Sequence, residues 1–266
     1  MHAHAPSLLG RGTALLRALA TGGPDGLSLT ALAKAVGLPN ATVHRLLAQL
    51  QRERWVVRLE AARHYVVGPL AYELGLSAAE RFDLRRLLNP ALAALAVQTD
   101  ETVYLVQRSG HEAVCIDLIA SASPTQATTL TIGSRRPLGL GAGGLAILAA
   151  LPADEAEAVM ATVREPIQRD WHLSEAFVRE SLAFTQANGF SFIRNRITPG
   201  VTAVGCSFRD GQGRVIGAVT VAGLNRRIGP MQRQRQLKER LQHTTSMLEQ
   251  TLKVRRAPLP GVTSPG

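Results

Sequence analysis

Cysteine is nearly missing from this chain: Cys115 and Cys206 are the only two in 266 residues. Two thiols are too few for a disulfide scaffold or a closed cysteine-rich zinc site, and they point to a reducing, cytoplasmic setting. Aromatic residues make up only 4%, so a core has to be assembled mainly from Leu, Val, Ile and Ala. Long apolar runs are missing too. The longest, residues 138–151, is broken by glycine and falls short of the roughly 20 residues a membrane-spanning helix needs, so a membrane protein is excluded. What is present is an ordinary globular composition, 45% apolar with 24 Gly and 14 Pro, neither disordered nor collagen-like. The length suits two modest domains or one large one.

Acid is scarce only at the ends. The chain carries 30 Lys+Arg against 20 Asp+Glu, a formal charge of +10, and this divides as +4 over residues 1–75, −1 over 76–225 and +7 over 226–266. A near-neutral middle between basic ends suggests binding at the ends and separate business between them. For the tail a second reading stands beside this one, a solvated helix and its frayed end.

Residues 1–17 contain arginines and no acid, as a transit peptide does. Leu8, Leu15, Leu16 and Leu19 fall close to one helical face, however, and a Gly-Gly-Pro-Asp-Gly turn leads straight to the next helix, so the stretch reads as a first structural helix. From Ser28 the chain reads SLTALAKAVGLPNATVHRLLAQLQRERWVVRL. Ser28 or Thr30 can cap a short helix with Leu32, Ala33 and Val36 on one face. Gly37 supplies a tight turn, Leu38 plugs between two helices, and Pro39 with Asn40 at the cap opens the second. There Val43, Leu46, Leu47 and Leu50 recur at helical spacing and point inward, leaving Ala41, Thr42, His44, Arg45, Gln49 and Arg52 on a face free of acid until Glu53.

Two short helices about a glycine turn, the second with a polar outer face, form a helix-turn-helix whose second helix can enter a major groove and whose first amides can meet a phosphate. Residues 55–67 alternate apolar and basic side chains and read as a β-hairpin wing. The expected DNA contacts are Thr42, Arg45 and Gln49 on base edges, Asn40 and His44 on backbone or base, and Arg58 and Arg63 of the wing on phosphates. Ser28, Thr30 and Ala41 are counted with them. His44 and His64 read as polar surface residues, no metal site is expected, and neither is a cofactor.

These segments resemble the IclR (isocitrate-lyase regulator) family of bacterial transcription factors. The resemblance rests on SLTALAKAVGLPNATVHRLLAQL, a wing ending in HYVVGP, the following LAYELG, then IGSRRPL, GAGGLAILAALP and GFSFIRNRITPGVTAVGCSFRDGQGRVIGAVTVAG, in that order over nearly the whole chain. It implies a winged helix-turn-helix, a linker helix and a GAF-like α/β domain that binds a small effector. It also implies homodimers or dimers of dimers seated on a palindromic operator in double-stranded DNA. The expected division is 1–69 for the DNA-binding domain, 70–88 for the linker helix, 89–254 for the effector domain and 255–266 for a flexible tail.

The residues themselves fit an α+β sensor. A helical run over 84–99 has Asn89-Pro90 breaking its start, and residues 101–108, 112–119 and 128–132 read as strands. Helices follow at 144–151, 154–163 and 174–188, with a stop at Gly189. Strands at 201–208 and 215–221 flank an Asp210-Gly211-Gln212-Gly213 hairpin turn, and an amphipathic helix runs from Pro230 towards Lys253. Strands in antiparallel order with helices beside them exclude a doubly wound parallel sheet.

Residues 139–144 formally match GxGxxG. A dinucleotide site needs a strand directly before the glycines, a helix directly after them, and an acid ending a second strand. Here Ser134-Arg135-Arg136-Pro137 separates the expected strand from the glycines, and a helix replaces the second strand. The Gly-Lys-Ser/Thr ending of a phosphate-binding loop is missing as well. Two readings remain for the glycines: a loop passing close to a bound small molecule, with amides at the start of the Gly144 helix favouring an anion, or close packing of helix on sheet.

The resemblance places Leu138, Gly139, Gly141, Ala142 and Gly143 beside the effector pocket. Family members that bind small carboxylates often place an acid before the turn, a small polar residue after it and serines in the last strand. Aligned by Thr198-Pro199-Gly200, this chain has Ile193, Ala203, Thr220 and Ala222 there, a more apolar set. Arg135 or Arg136 can still pair a carboxylate, so an organic acid with a larger apolar or aromatic body is expected. An enzyme is not: Ser134, Ser207 and Cys206 have no His–Asp/Glu partners recognisable in the sequence, and no GxSxG elbow is present. The main alternative is a constitutive DNA-binding protein whose GAF-like domain serves only oligomerisation.

Overall fold

The computed structural model of the chain describes residues 7–121 and 130–254, which form two compact units dividing between Asp83 and Leu84. Thr128, Thr129 and the tail from Arg255 lie outside the described residues.

The first unit begins with α1 (Leu8–Leu19), capped by the Ser7 hydroxyl, which accepts from the Gly10 amide. Leu15 and Leu19 are buried, whereas Leu8, expected on the same face, is exposed. After β1 (Leu27–Ser28), Ser28 caps α2 (Leu29–Val36) by accepting from the Ala31 amide. Gly37 then takes φ 65°, a left-handed conformation that costs glycine least, and α3 (Asn40–Arg52) follows. Asn40 is not the cap as expected. Pro39 holds that position in extended backbone, and its carbonyl accepts from the amides of Thr42 and Val43. The hairpin of β2 (Val56–Leu59) and β3 (His64–Val67) is joined by the two-residue β1 in the order β1-β3-β2. Leu15, Leu32, Val43, Leu47, Val56 and Tyr65 meet in one core. Closing the unit, α4 (Pro69–Phe82) is tied to the end of α3 by an Arg54–Glu73 ion pair at 2.6 Å.

In the second unit α5 (Leu84–Thr99) runs unbroken through Pro90, contrary to the expected break. Proline removes one backbone hydrogen bond there, but Leu84, Leu88, Leu92 and Leu95 are all buried, and that apolar stripe holds the helix. The remaining elements are β4 (Thr102–Ser109), β5 (Glu112–Ile119), β6 (Arg135–Pro137), α6 (Gly141–Ala149), α7 (Ala153–Trp171), α8 (Glu175–Asn188), β7 (Ser191–Arg194), β8 (Val201–Arg209), β9 (Val215–Leu224), the short α9 (Asn225–Ile228) and α10 (Met231–Val254). The strands form one antiparallel sheet in the order β6-β5-β4-β9-β8-β7. Alternation along β4 feeds two cores: Tyr104 and Val106 join the α6, α7 and α8 side, Val103 and Leu105 the α5 and α10 side. The fold is α+β, a helix-turn-helix unit followed by an antiparallel sheet covered by helices.

Three expectations in this unit are corrected. The strand read at 128–132 is not there in its described part, residues 130–132; it lies at Arg135–Pro137, led in by bonds between Cys115 and residues 133 and 134. Pro137 is tolerated there because at the end of an edge strand its missing donor costs no ladder bond. A strand therefore does stand just before the glycines, and α6 begins at Gly141 rather than Gly144. The dinucleotide reading still fails, because this strand is antiparallel and α6 leads to α7. Finally, β7 carries a strand where none was expected.

Candidate nucleic-acid interface and ligand pocket

The polar face of α3 is where its helical period puts it. Val43, Leu46 and Leu47 are buried, while Asn40, Ala41, His44, Arg45, Gln49 and Arg52 are exposed and Thr42 is half-buried. No side chain caps α3, so the amides of Asn40 and Ala41, ahead of those that bond to Pro39, are left for an outside acceptor. Thr30 is exposed at the start of α2, whereas Ser28 is occupied as that helix's cap. In the wing, Arg63 is exposed at the tip and has φ 53°. Arg58 is half-buried against the Tyr65 ring, 6.0 Å from its centroid, and its Nε is buried with no hydrogen-bond partner among the described residues. The ring of His64 is tied to the backbone, its Nδ1 lying 2.8 Å from the Asp25 carbonyl oxygen.

The second unit contains a cavity between the sheet and the start of α6. It encloses about 50 Å³ reachable by the centre of a water molecule, within an envelope of about 580 Å³ that includes its mouth. That is room for a small molecule rather than one water. Of the residues expected at a pocket, Arg136, Gly141, Ala142, Gly143, Ile193, Ala203 and Thr220 line it. Arg135, Leu138, Gly139 and Ala222 lie elsewhere. Successive strand residues face opposite ways, so Arg135 turns from Arg136 and its Nε donates to Glu112 at 2.9 Å. Leu138 and Ala222 are packed into the core. Gly139 stands against Val178 and Leu148.

The rest of the wall is Tyr104, Val106, Ala113, Leu130, Leu140, Gly144, Ile197, Thr198 and Val201. Ala113 pairs with Arg136 across β5 and β6, a neighbour that strand register would have supplied had β6 been recognised. Ile197 and Thr198 come from the turn between β7 and β8, where periodicity gives no signal.

The glycines pack α6 closely on the sheet, and Gly141, Gly143 and Gly144 also border the cavity. A Cβ on Gly143 would stand 2.6 Å from Val106 Cγ2 and 3.0 Å from Thr220 Oγ1, so α6 seats on the sheet only because none is there. Gly141, at φ 71°, borders the cavity beside the Arg136 guanidinium. Leu140 gives α6 no side-chain cap, and its first residues are buried, so this helix start offers amides to an occupant of the cavity. Thr220 Oγ1 is buried with no hydrogen-bond partner among the described residues. Burial lowers the pKa of Arg136 from the usual guanidinium range, yet guanidinium stays charged in proteins. The arrangement suits an anionic group at the Arg136 and α6 end and an apolar body elsewhere. Burial pushes both the Cys115 and Cys206 thiols up to about 12, so neither serves as a nucleophile at neutral pH. Among the described residues no cluster of His, Cys, Asp or Glu is placed to hold a metal, and no helix is long and apolar enough to cross a membrane.

Comparison with known proteins matches two family profiles: the IclR helix-turn-helix domain over residues 8–60 and the bacterial transcriptional regulator IclR C-terminal domain over residues 76–249. The chain is 28% identical to the transcriptional repressor IclR of Escherichia coli over 220 residues, covering 81% of this chain and 79% of that one. Its fold is similar to that of a crystallised IclR-type regulator from Silicibacter sp. TM1040, with TM-score 0.74 and 22% identity over 95% of this chain and 98% of that one. It is also similar to an IclR homologue from Microbacterium hydrocarbonoxydans solved with 4-hydroxybenzoate, with TM-score 0.67 and 18% identity over 94% and 100% of the two chains.

Proposed function

The chain belongs to the IclR family of bacterial transcriptional regulators, and from that premise we propose that its operator binding is modulated by a small organic acid held in the cavity of its second unit. The observation that carries this reading is the placement of one arginine, Arg136, beside an uncapped helix start in a wall otherwise mostly apolar. A carboxylate would pair with that cation and accept from those amides. Ile193, Ala203 and Val201 favour an acid with a sizeable apolar or aromatic body. The relative solved with 4-hydroxybenzoate supports that class.

On the DNA side, Thr42, Arg45 and Gln49 meet base edges of a palindromic site, and Arg58 and Arg63 meet phosphates. A palindrome needs two copies of the chain. Tyr72 and Leu76 on α4, 70% and 57% exposed, are apolar side chains of the kind a second protomer would cover. Residues 70–88 carry the coupling from ligand to DNA. Coupling requires that the acid bind the DNA-competent and DNA-incompetent states with different affinity. The test is a gel-shift titration on the DNA upstream of the chain's own gene, with and without saturating aromatic and branched aliphatic carboxylates. Affinity for that DNA should change with at least one of them. Unchanged affinity across the set, with carboxylate binding demonstrated, would leave the second unit as an oligomerisation module.

A further inference from the structure

Arg136 lies beside two residues, one near and one far in sequence. Its guanidinium carbon lies 5.1 Å from the centroid of the Trp171 ring, within reach of the indole face. Trp171 is the last residue of α7, and its ring packs against the pocket-side core. Nη1 of Arg136 also stands 3.5 Å from where a Cβ on residue 141 would lie, in room that Gly141 leaves at the start of α6. The Arg136 side chain lines the cavity.

We propose that Trp171 is a positioning residue for the ligand's anionic group: it holds Arg136 in the plane from which the guanidinium pairs with a carboxylate at the start of α6. The proposal rests on the ligand reading above and names the device that selects for charge at that site. A guanidinium pairs strongly with a carboxylate only through in-plane N–H groups, and a long side chain loses rotamer freedom when fixed for that purpose. Stacking on an indole fixes the plane at the folding stage, so less freedom is lost when the ligand arrives. The indole also covers one face of the cation against water, which strengthens an ion pair made at its edge.

The test uses the full chain and matched pairs of probes that differ in charge: benzoate with benzamide, phenylacetate with phenylacetamide, and butyrate with butyramide. Calorimetry on Trp171→Leu should show the bound carboxylates weakened about 3- to 20-fold with their amides unaffected. Trp171→Phe should recover part of the loss, and Arg136→Gln should erase the preference for acid over amide. Because Trp171→Leu also removes packing, a second measurement leaves the residue in place. In Trp55→Phe protein, Trp171 is the one remaining tryptophan, and its emission should change on adding carboxylate but not amide. Equal weakening of acid and amide in Trp171→Leu, or an unresponsive Trp171 emission while the carboxylate binds, overturns the role of Trp171 alone. If wild-type protein binds none of the carboxylates, the acid-binding reading itself falls, and this role with it.

Discussion

At the N-terminal end Arg45 and Arg63 project from α3 and the wing tip, and neither has an ion pair among the described residues. Near the C-terminal end four cations of α9 and α10 are occupied. Arg227 pairs with Asp100 at 2.8 Å and Glu101 at 2.6 Å, Arg233 donates to the Thr99 carbonyl, Arg240 donates to Gln98 and Lys238 lies over the Phe190 ring. Of the nine Lys and Arg in residues 226–266, which carry the larger excess of +7, these four fasten α9 and α10 to residues 98–101 and to Phe190. The smaller excess, +4 over residues 1–75, leaves cations facing outward on an acid-free helix face. Net charge points to a polyanion; whether each cation already has a partner says which end meets it.

The largest effect that bears on this contrast is on stability. Glu101 is 3% exposed, and burial, opposed by Arg227, raises its pKa above the ordinary carboxylate range. Arg227→Ala removes that counter-charge and should destabilise the second unit by about 3 kcal/mol at neutral pH. A raised carboxyl pKa means the folded state holds the proton more tightly, so the deficit should shrink as pH falls through the raised value. Urea unfolding at pH 7.5 and pH 5 checks this, with DNA affinity per folded molecule expected to stay unchanged.

Arg45→Ala should do the reverse. Operator affinity should fall about 10- to 100-fold, the scale of a lost base contact, with stability within about 0.5 kcal/mol of wild type; binding titrations and unfolding curves on one preparation separate the two. Arg63→Ala should weaken operator and unrelated DNA alike by a smaller factor and lower the salt slope by about one, as for one lost phosphate contact. The smallest effect belongs to Arg240→Gln. It should cost under about 1 kcal/mol and leave DNA binding alone, and a DNA defect there would break the contrast.

How much of this was legible in the sequence differs between the units for physical reasons. In the first unit, burial follows helical period, so Val43, Leu46 and Leu47 identify the inner face of α3 and Gly37 marks the turn. Only β1, two residues held by tertiary pairing, left no trace. In the second unit α6 is buried on every side, from Gly141 to Leu148, so no polar face reveals where it begins. The β-branched residues at 128–132 suggested a strand by propensity, but pairing with β5 selected Arg135–Pro137. That register, not either arginine's identity, decides that Arg136 faces the cavity and Arg135 faces Glu112. Trp171 stands 35 positions from Arg136, and only the packing of α7 on β6 brings the two together.

The most direct test is the slope of log Kobs against log salt for DNA binding, measured on wild-type chain, on Arg45→Gln/Arg63→Gln and on Arg235→Gln/Arg240→Gln. Each lost phosphate neutralisation lowers the slope by about 0.9. This division of roles between the two ends predicts a slope reduced by one to two such steps for the N-terminal pair and unchanged for the α10 pair. A reduced slope for the α10 pair with none for the N-terminal pair would contradict it.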